Sequence, residues 1–281
     1  MKLAVHICSF VGENYRERFI YLKKIVKNYL KISKNIHIFI HTNKISKDYK
    51  LKDVKYVVHN LKNKNPFYLS WKCRLLIEKQ RKKYDYFIYS EDDILFTRKN
   101  FQYWLQYKNS CIKNNFNLGF VRTEEKNKRI FLTDLFNKLK YKLKVSKQMF
   151  VVNTVNSYCA LWIYDKKELN KFINTKFWKF KWKGKNIFAF YGIREMSAIG
   201  WHGKNMSRYK STIIPLIKNK LHSGAFIKHL SNNHALGMHP VGFGSIEKKE
   251  IMNKRLKDFN QIKKESILFL YFKYFFRKLI N

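Results

Sequence analysis

Glu91, Asp92 and Asp93 stand side by side after the apolar run Tyr86-Phe87-Ile88-Tyr89-Ser90, in a chain of 281 residues that carries 19 Asp and Glu against 59 Lys and Arg. Adjacent carboxylates repel one another, and a strand that carries them toward a cleft adds the cost of desolvating them. A divalent cation is the natural group to offset both. In an extended strand Glu91 and Asp93 face one side and Asp92 the other, so the three are not equivalent ligands and must divide two roles. The plainer alternative is an acidic surface turn. The aromatic strand that delivers the triplet argues against it, because such a strand belongs inside an α/β sheet, whose ligands bind beyond the C-terminal strand ends.

The elements around the triplet follow from periodicity. Leu3 to Phe10 reads as a buried strand, and Tyr15 to Leu30 places Phe19, Leu22, Ile25, Val26 and Tyr29 at helical spacing. Asn35 to Asn43 reads as a second strand and Val54 to Val58 as a short third. After Pro66, the pattern from Tyr68 to Lys83 predicts an amphipathic helix feeding the acidic strand. Asn117 to Arg122 and Ser157 to Tyr164 read as further strands, the latter followed by a helix from Lys166 to Ile173. The lysine-rich stretch from Lys126 to Lys147 reads as an insertion, with room for a short helix around Leu135 to Leu143. Trp178 to Gly184 alternates aromatic residues and lysine, which suits a charge-protected edge strand or a sugar-stacking platform.

Composition sets the frame. A hydrophobic content of 46% supports a full core without staples. Cys8, Cys73, Cys111 and Cys159 form no C-x-x-C pair, so neither a zinc knuckle nor a disulfide framework is indicated. The net charge of +40 would suggest nucleic acid. However, lysine greatly outnumbers arginine amid abundant Asn, Ile, Phe and Tyr, the residue usage of an A/T-rich genome. No aromatic RNA-binding signature or arginine-rich arm accompanies the charge, so no dedicated nucleic-acid partner is expected. An anionic membrane surface fits better, and the aromatic, cationic segment from Ser266 to Ile280, too short to span a bilayer, would suit an interfacial helix or a helix packed on the domain.

The Ser90-Glu91-Asp92-Asp93 strand end, behind a strand–helix opening, resembles the D-x-D region of GT-A glycosyltransferases. Asn65-Pro66-Phe67-Tyr68-Leu69-Ser70-Trp71-Lys72-Cys73-Arg74 resembles the helix before that region in bacterial lipopolysaccharide and capsule sugar transferases. The resemblance covers most of residues 1–245. It implies an α/β, GT-A-like domain over 1–250, with a Rossmann-type, mostly parallel sheet flanked by helices. Residues 1–125 would form the nucleotide-sugar half, 126–250 the acceptor half, and 251–281 a C-terminal helical tail. The implied activity moves a sugar from a nucleotide-sugar donor to a surface glycan or glycolipid, at the cytosolic face of a bacterial inner membrane.

Such chemistry must stabilise a diphosphate leaving group, which Mn²⁺ or Mg²⁺ does when held by carboxylates. The resemblance makes Asp93 the metal ligand and gives Glu91 or Asp92 to the donor. It adds a late histidine to the metal shell: His229 first, with His234 and His239 as alternatives. Ser9 and Phe10 fall at the donor base and ribose, with Thr42 and Asn43 as further candidates. Arg74, ahead of the solvated Lys72, is the candidate for the diphosphate. An inverting transfer needs a base, for which Glu195 is the candidate, Asp134 and Asp165 the fallbacks, and an ion pair with Arg194 the competing role for Glu195. Two rivals remain: a metal-dependent phosphoesterase or nuclease, which needs further carboxylates for a second metal, and a non-enzymatic binder of anionic lipid or nucleic acid.

Overall fold

The computed structural model describes residues 1–62, 65–135, 137–175, 178–179, 193–198, 212–235 and 246–261. In chain order the first half runs β1 (Leu3–Cys8), α1 (Tyr15–Leu30), β2 (Ile36–Thr42), β3 (Lys55–Val58), α2 (Leu69–Gln80), β4 (Tyr86–Glu91), β5 (Ile94–Leu95), α3 (Arg98–Lys113), β6 (Asn117–Leu118) and β7 (Val121–Lys126). The second half runs β8 (Arg129–Leu132), β9 (Leu139–Val145), β10 (Gln148–Asn153), β11 (Leu161–Asp165), α4 (Lys166–Ile173), α5 (Ile193–Ala198), β12 (Thr212–Ile217), β13 (Lys220–Leu221), β14 (Phe226–His229), β15 (Ile246–Glu247) and β16 (Met252–Asp258). The chain is a mixed α/β protein.

The first sheet has the order β11-β4-β1-β2-β3, with parallel pairing throughout except at the antiparallel edge strand β11. Its central strands are apolar runs because both faces are covered, and Leu3, Ala4, Val5, Ile7, Phe87 and Ile88 are fully buried. Helix α1 presents Leu22, Ile25, Val26 and Tyr29 to this core. The crossover through α1 carries the chain from β1 to β2, and the crossover through α2 carries it back past β1 to β4. The strand order therefore reverses between β1 and β4. Crevices of ligand-binding α/β sheets open at such a point, and Ser9 and the acidic triplet flank it.

A second sheet, β15-β8-β7-β14-β5, receives the chain directly from the triplet through β5, and a third has the order β13-β12-β10-β9-β16, with β6 beside β12. The stretch from Lys126 to Lys147 is thus no insertion. It contains β8 and the whole of β9, whose inward Leu139, Leu143 and Val145 are buried, and no helix forms there among the described residues. Helix α3, absent from the sequence reading, ties the second sheet down: Asn100 Nδ2 donates to the carbonyls of Gly224 at 2.8 Å and Phe226 at 2.9 Å. Gly224 is required at this junction, since a Cβ there would lie 2.4 Å from the Tyr103 side chain.

Two further expectations change. Trp178 is buried, stacks edge-on against Phe172 at 5.1 Å and donates from Nε1 to Glu78 at 3.0 Å, so it serves the core rather than an edge strand or a sugar platform; 180–184 lie outside the described residues. Residues 252–258, read as the start of a helical tail, form β16 against β9, and 262–281 lie outside the described residues. Among the described residues no helix is long and apolar enough to cross a membrane.

Across the first sheet runs a row of histidines. His6 Nδ1 bonds His41 Nε2 at 2.9 Å, and His41 Nδ1 bonds His59 Nε2 at 2.8 Å. Burial lowers His6 to about 3 and His41 well below the ordinary value. These rings are neutral in the fold and protonate in the unfolded chain below about pH 6.5, so their contribution is complete above that pH and shrinks as pH falls. Urea unfolding at pH 7 and pH 5 should lose about 2 kcal/mol through His6 alone, and His6→Gln should flatten that dependence.

Candidate active site

The acidic triplet is buried, with Glu91 6%, Asp92 1% and Asp93 5% exposed. Each carboxylate has its own cationic neighbour, supplied by a different element. Arg18, on the second turn of α1, donates from Nε to Asp92 Oδ2 at 3.1 Å and from a terminal nitrogen to Asp92 Oδ1, and that same nitrogen lies 3.4 Å from Asp93 Oδ2. Arg194 of α5 lies 3.5 Å from Glu91 Oε2, and Tyr158 donates its hydroxyl to Glu91 Oε1 at 2.9 Å. Tyr158 reaches this edge because the antiparallel β11 begins there.

The third neighbour is His229, at the end of β14. Strand β5 pairs antiparallel with β14, His229 opposite Ile94, and the Leu230 N–H donates to the Asp93 carbonyl at 2.8 Å. This pairing leaves His229 Nε2 3.3 Å from Asp93 Oδ2. On its other side Nδ1 meets the buried carboxylate of Glu124, whose Oε2 accepts from the Ala235 N–H at 2.5 Å. Ser231 Oγ lies 2.9 Å from Nε2.

Environment separates the three acids. Burial raises Glu91 and Asp92, outweighing the opposing pull of Arg194 and Arg18. Burial pushes Asp93 up too, but His229 and Arg18 overcome it and hold Asp93 well below the ordinary carboxylate range. For His229, burial would lower the pKa, yet Asp93 and Glu124 raise it to about 9. Asp93 Oδ1 is buried and makes no hydrogen bond among the described residues. An ionised carboxylate with one buried, unbonded oxygen, beside an imidazole whose far nitrogen is braced by a carboxylate, is a donor set that fits a divalent cation. Asp93 and His229 Nε2 would hold it, with Glu124 fixing the ring. His234 stands 5.5 Å from the His229 ring, and Glu124, His229 and His234 place ligand atoms within 4.8 Å of one another. Because Glu124 takes Nδ1, Nε2 would be the ligating nitrogen, and it faces Asp93.

Glu124 was missed by sequence reasoning, although Glu124-Glu125 is a second pair of adjacent acids in an acid-poor chain. Since losing an outer carboxylate costs a metal-ligating histidine about 10–100-fold in affinity, Glu124→Gln should weaken Mn²⁺ binding by that factor in a calorimetric titration. A metal held there would also have to displace the His229 proton. Affinity should therefore rise with pH by up to about tenfold per unit until about pH 9, a trend that titrations at pH 6, 7 and 8 would check.

The other expected site residues are spread over several elements. Ser9 is buried at the end of β1, and Phe10 covers Gly12. The Thr42 hydroxyl donates to the Lys44 carbonyl at 2.9 Å, while Asn43 clamps Val11, accepting from its N–H at 2.8 Å and donating to its carbonyl at 3.1 Å. Asn43 thus shapes the loop between β1 and α1, and Thr42 the turn that follows β2. Arg74 does not face the triplet. It is buried among Trp71, Trp178 and Phe172 and donates to the carbonyls of Trp178 at 2.8 Å and Ser197 at 3.1 Å, pinning α5 to α2. Asp134 is held by both arms of Arg122, at 2.7 and 2.5 Å, and Asp165 caps α4 and pairs with Lys108, so neither is placed as a base. Glu195 lies on α5 with its side chain outside the described residues, and His239 lies outside them altogether; the neighbouring Arg194 turns to Glu91.

No protein-family model matches this chain, and no curated protein matches it. Among solved structures, the bifunctional IspDF from Campylobacter jejuni is similar over 71% of this chain and 47% of that one, at 10% identity and a TM-score of 0.34, so the chain spans about half the length of that protein.

Proposed function

We propose that the chain is a metal-dependent glycosyltransferase of the GT-A type, moving a sugar from a nucleotide-sugar donor to a surface glycan or glycolipid. The observation that carries this reading is Asp93, ionised and buried at the strand-order reversal of a mostly parallel sheet, with one oxygen unbonded and the other facing His229. Asp93 and His229 would hold Mn²⁺ or Mg²⁺, which when bound neutralises the charge developing on a diphosphate leaving group. Glu124 keeps the His229 ring in one orientation. Glu91 and Asp92, each braced by an arginine, are the acceptors that a donor hydroxyl would meet. A membrane-face location is supported by the net charge of +40. Against a two-metal phosphoesterase stands the pairing of Glu91, Asp92 and Asp134 with arginines, which leaves them fewer oxygens to offer a second ion.

Calorimetry against UDP, GDP, CDP and CMP, with and without Mn²⁺, tests the reading. Binding of one nucleotide that requires Mn²⁺ is expected. Uniform binding that ignores the metal and vanishes with salt would leave only charge and discard the transferase.

A further inference from the structure

We propose that Arg18 is a diphosphate-binding residue, presenting to the phosphate oxygens the guanidinium edge that Asp92 leaves open. The geometry is that of a braced arginine. Nε and one terminal nitrogen are spent on Asp92, and that terminal nitrogen also reaches Asp93 Oδ2 at 3.4 Å. The other terminal nitrogen makes no hydrogen bond among the described residues, and about one third of the Arg18 side chain is exposed above carboxylates that are themselves buried. A guanidinium gripped along one edge by a carboxylate is fixed in plane and rotation, so its remaining donors meet a phosphate with little ordering cost. Its position is apt for the same reason: it stands next to Asp93, whose unbonded oxygen marks where a cation would sit. A metal on Asp93 and an arginine beside it would offer a diphosphate two positive groups from adjacent points.

Arg74, the arginine that the sequence nominated for this task, is enclosed by aromatic rings and committed to backbone carbonyls. Among the described residues Arg18 is the arginine that touches both Asp92 and Asp93. The inference deepens the nucleotide-sugar reading but depends on it only for the nucleoside part of the ligand.

The test titrates pyrophosphate, in the presence of Mn²⁺, into the wild type, Arg18→Met and the double variant Arg18→Met/Asp92→Asn. The double variant removes the buried charge that Arg18→Met alone would strand. Loss of charged hydrogen bonds should weaken pyrophosphate about 10–100-fold in both variants, while Mn²⁺ titrated alone binds as tightly as before or more so, since a competing cation has gone. Unchanged pyrophosphate affinity in the variants, or no pyrophosphate binding by the wild type, would overturn the assignment. So would an equal loss of Mn²⁺ binding in the double variant, which would make Arg18 a brace for the carboxylates alone. The same variants separate the two readings. Pyrophosphate held through Arg18 with no preference for any nucleoside diphosphate would sink the nucleotide-sugar reading and keep Arg18; a nucleotide bound equally well by wild type and Arg18→Met would do the reverse.

Discussion

Asp93→Asn should abolish high-affinity Mn²⁺ binding while leaving the fold intact. The substitution is nearly isosteric and removes the acid of the triplet whose pKa its surroundings lower, while Glu91 and Asp92 are raised by burial and engaged by Arg194 and Arg18. Since losing an outer-sphere partner already costs about 10–100-fold, losing the ligand itself should exceed about 100-fold. His229 keeps Glu124 as a partner, so the ring stays in place. The measurement is a Mn²⁺ titration beside a thermal melt. Retained affinity with a native melt would remove Asp93 from the metal site, and with it the main support for the proposed activity.

Arg122→Met should be the most destabilising single change in the second sheet. Arg122 is 4% exposed, holds Asp134 with two hydrogen bonds and lies 4.9 Å over the ring of Tyr158. Removing one partner of a buried, hydrogen-bonded pair strands the other charge, at a cost of about 3–5 kcal/mol. Combining Arg122→Met with Asp134→Leu should recover much of that loss, because the penalty lies in the uncompensated carboxylate rather than in a missing attraction. Urea unfolding of the single and double variants reads this directly, and a double variant no more stable than the single one would refute the account. Since Tyr158 also donates to Glu91, the single variant should loosen the acidic edge as well.

The first sheet was legible because its signals are local. Apolar runs mark β1, β2 and β4, and α1 repeats its buried residues every three or four positions. Apart from the strand read at Asn117 to Arg122, which covers β6 and the start of β7, the second and third sheets were illegible for an equally local reason. The turn joining β7 to β8 places Asn127 and Lys128 at φ of 50° and 61°, and the turn joining β12 to β13 places Lys218 and Asn219 at 49° and 59°. These are two-residue hairpin turns of the kind glycine usually marks, yet here lysine fills one position of each, so the lysine-rich stretches concealed the strands they join. Helix α3 was hidden by Lys108, which interrupts the stripe of Phe101, Trp104 and Cys111 and is buried because it pairs with Asp165. At the site, the triplet and His229 were readable from residue type and position, whereas Glu124 and Arg18 acquire their roles only through strand pairing and a helix docked across the sheet.

The pairing of β5 with β14 has a kinetic meaning. His229 and Glu124 are 105 residues apart in the chain, and Asp93 is more distant still from His229. Closing so long a loop costs entropy before any contact repays it. The first sheet can assemble from residues 3–91 and the strand at 161–165, but its acids stay without their histidine until residues 226–229 arrive. During synthesis the proposed metal pocket would therefore be among the last features to close, and the chain would acquire its proposed metal affinity only when its C-terminal half has docked. Metal uptake would time the end of folding, not its beginning.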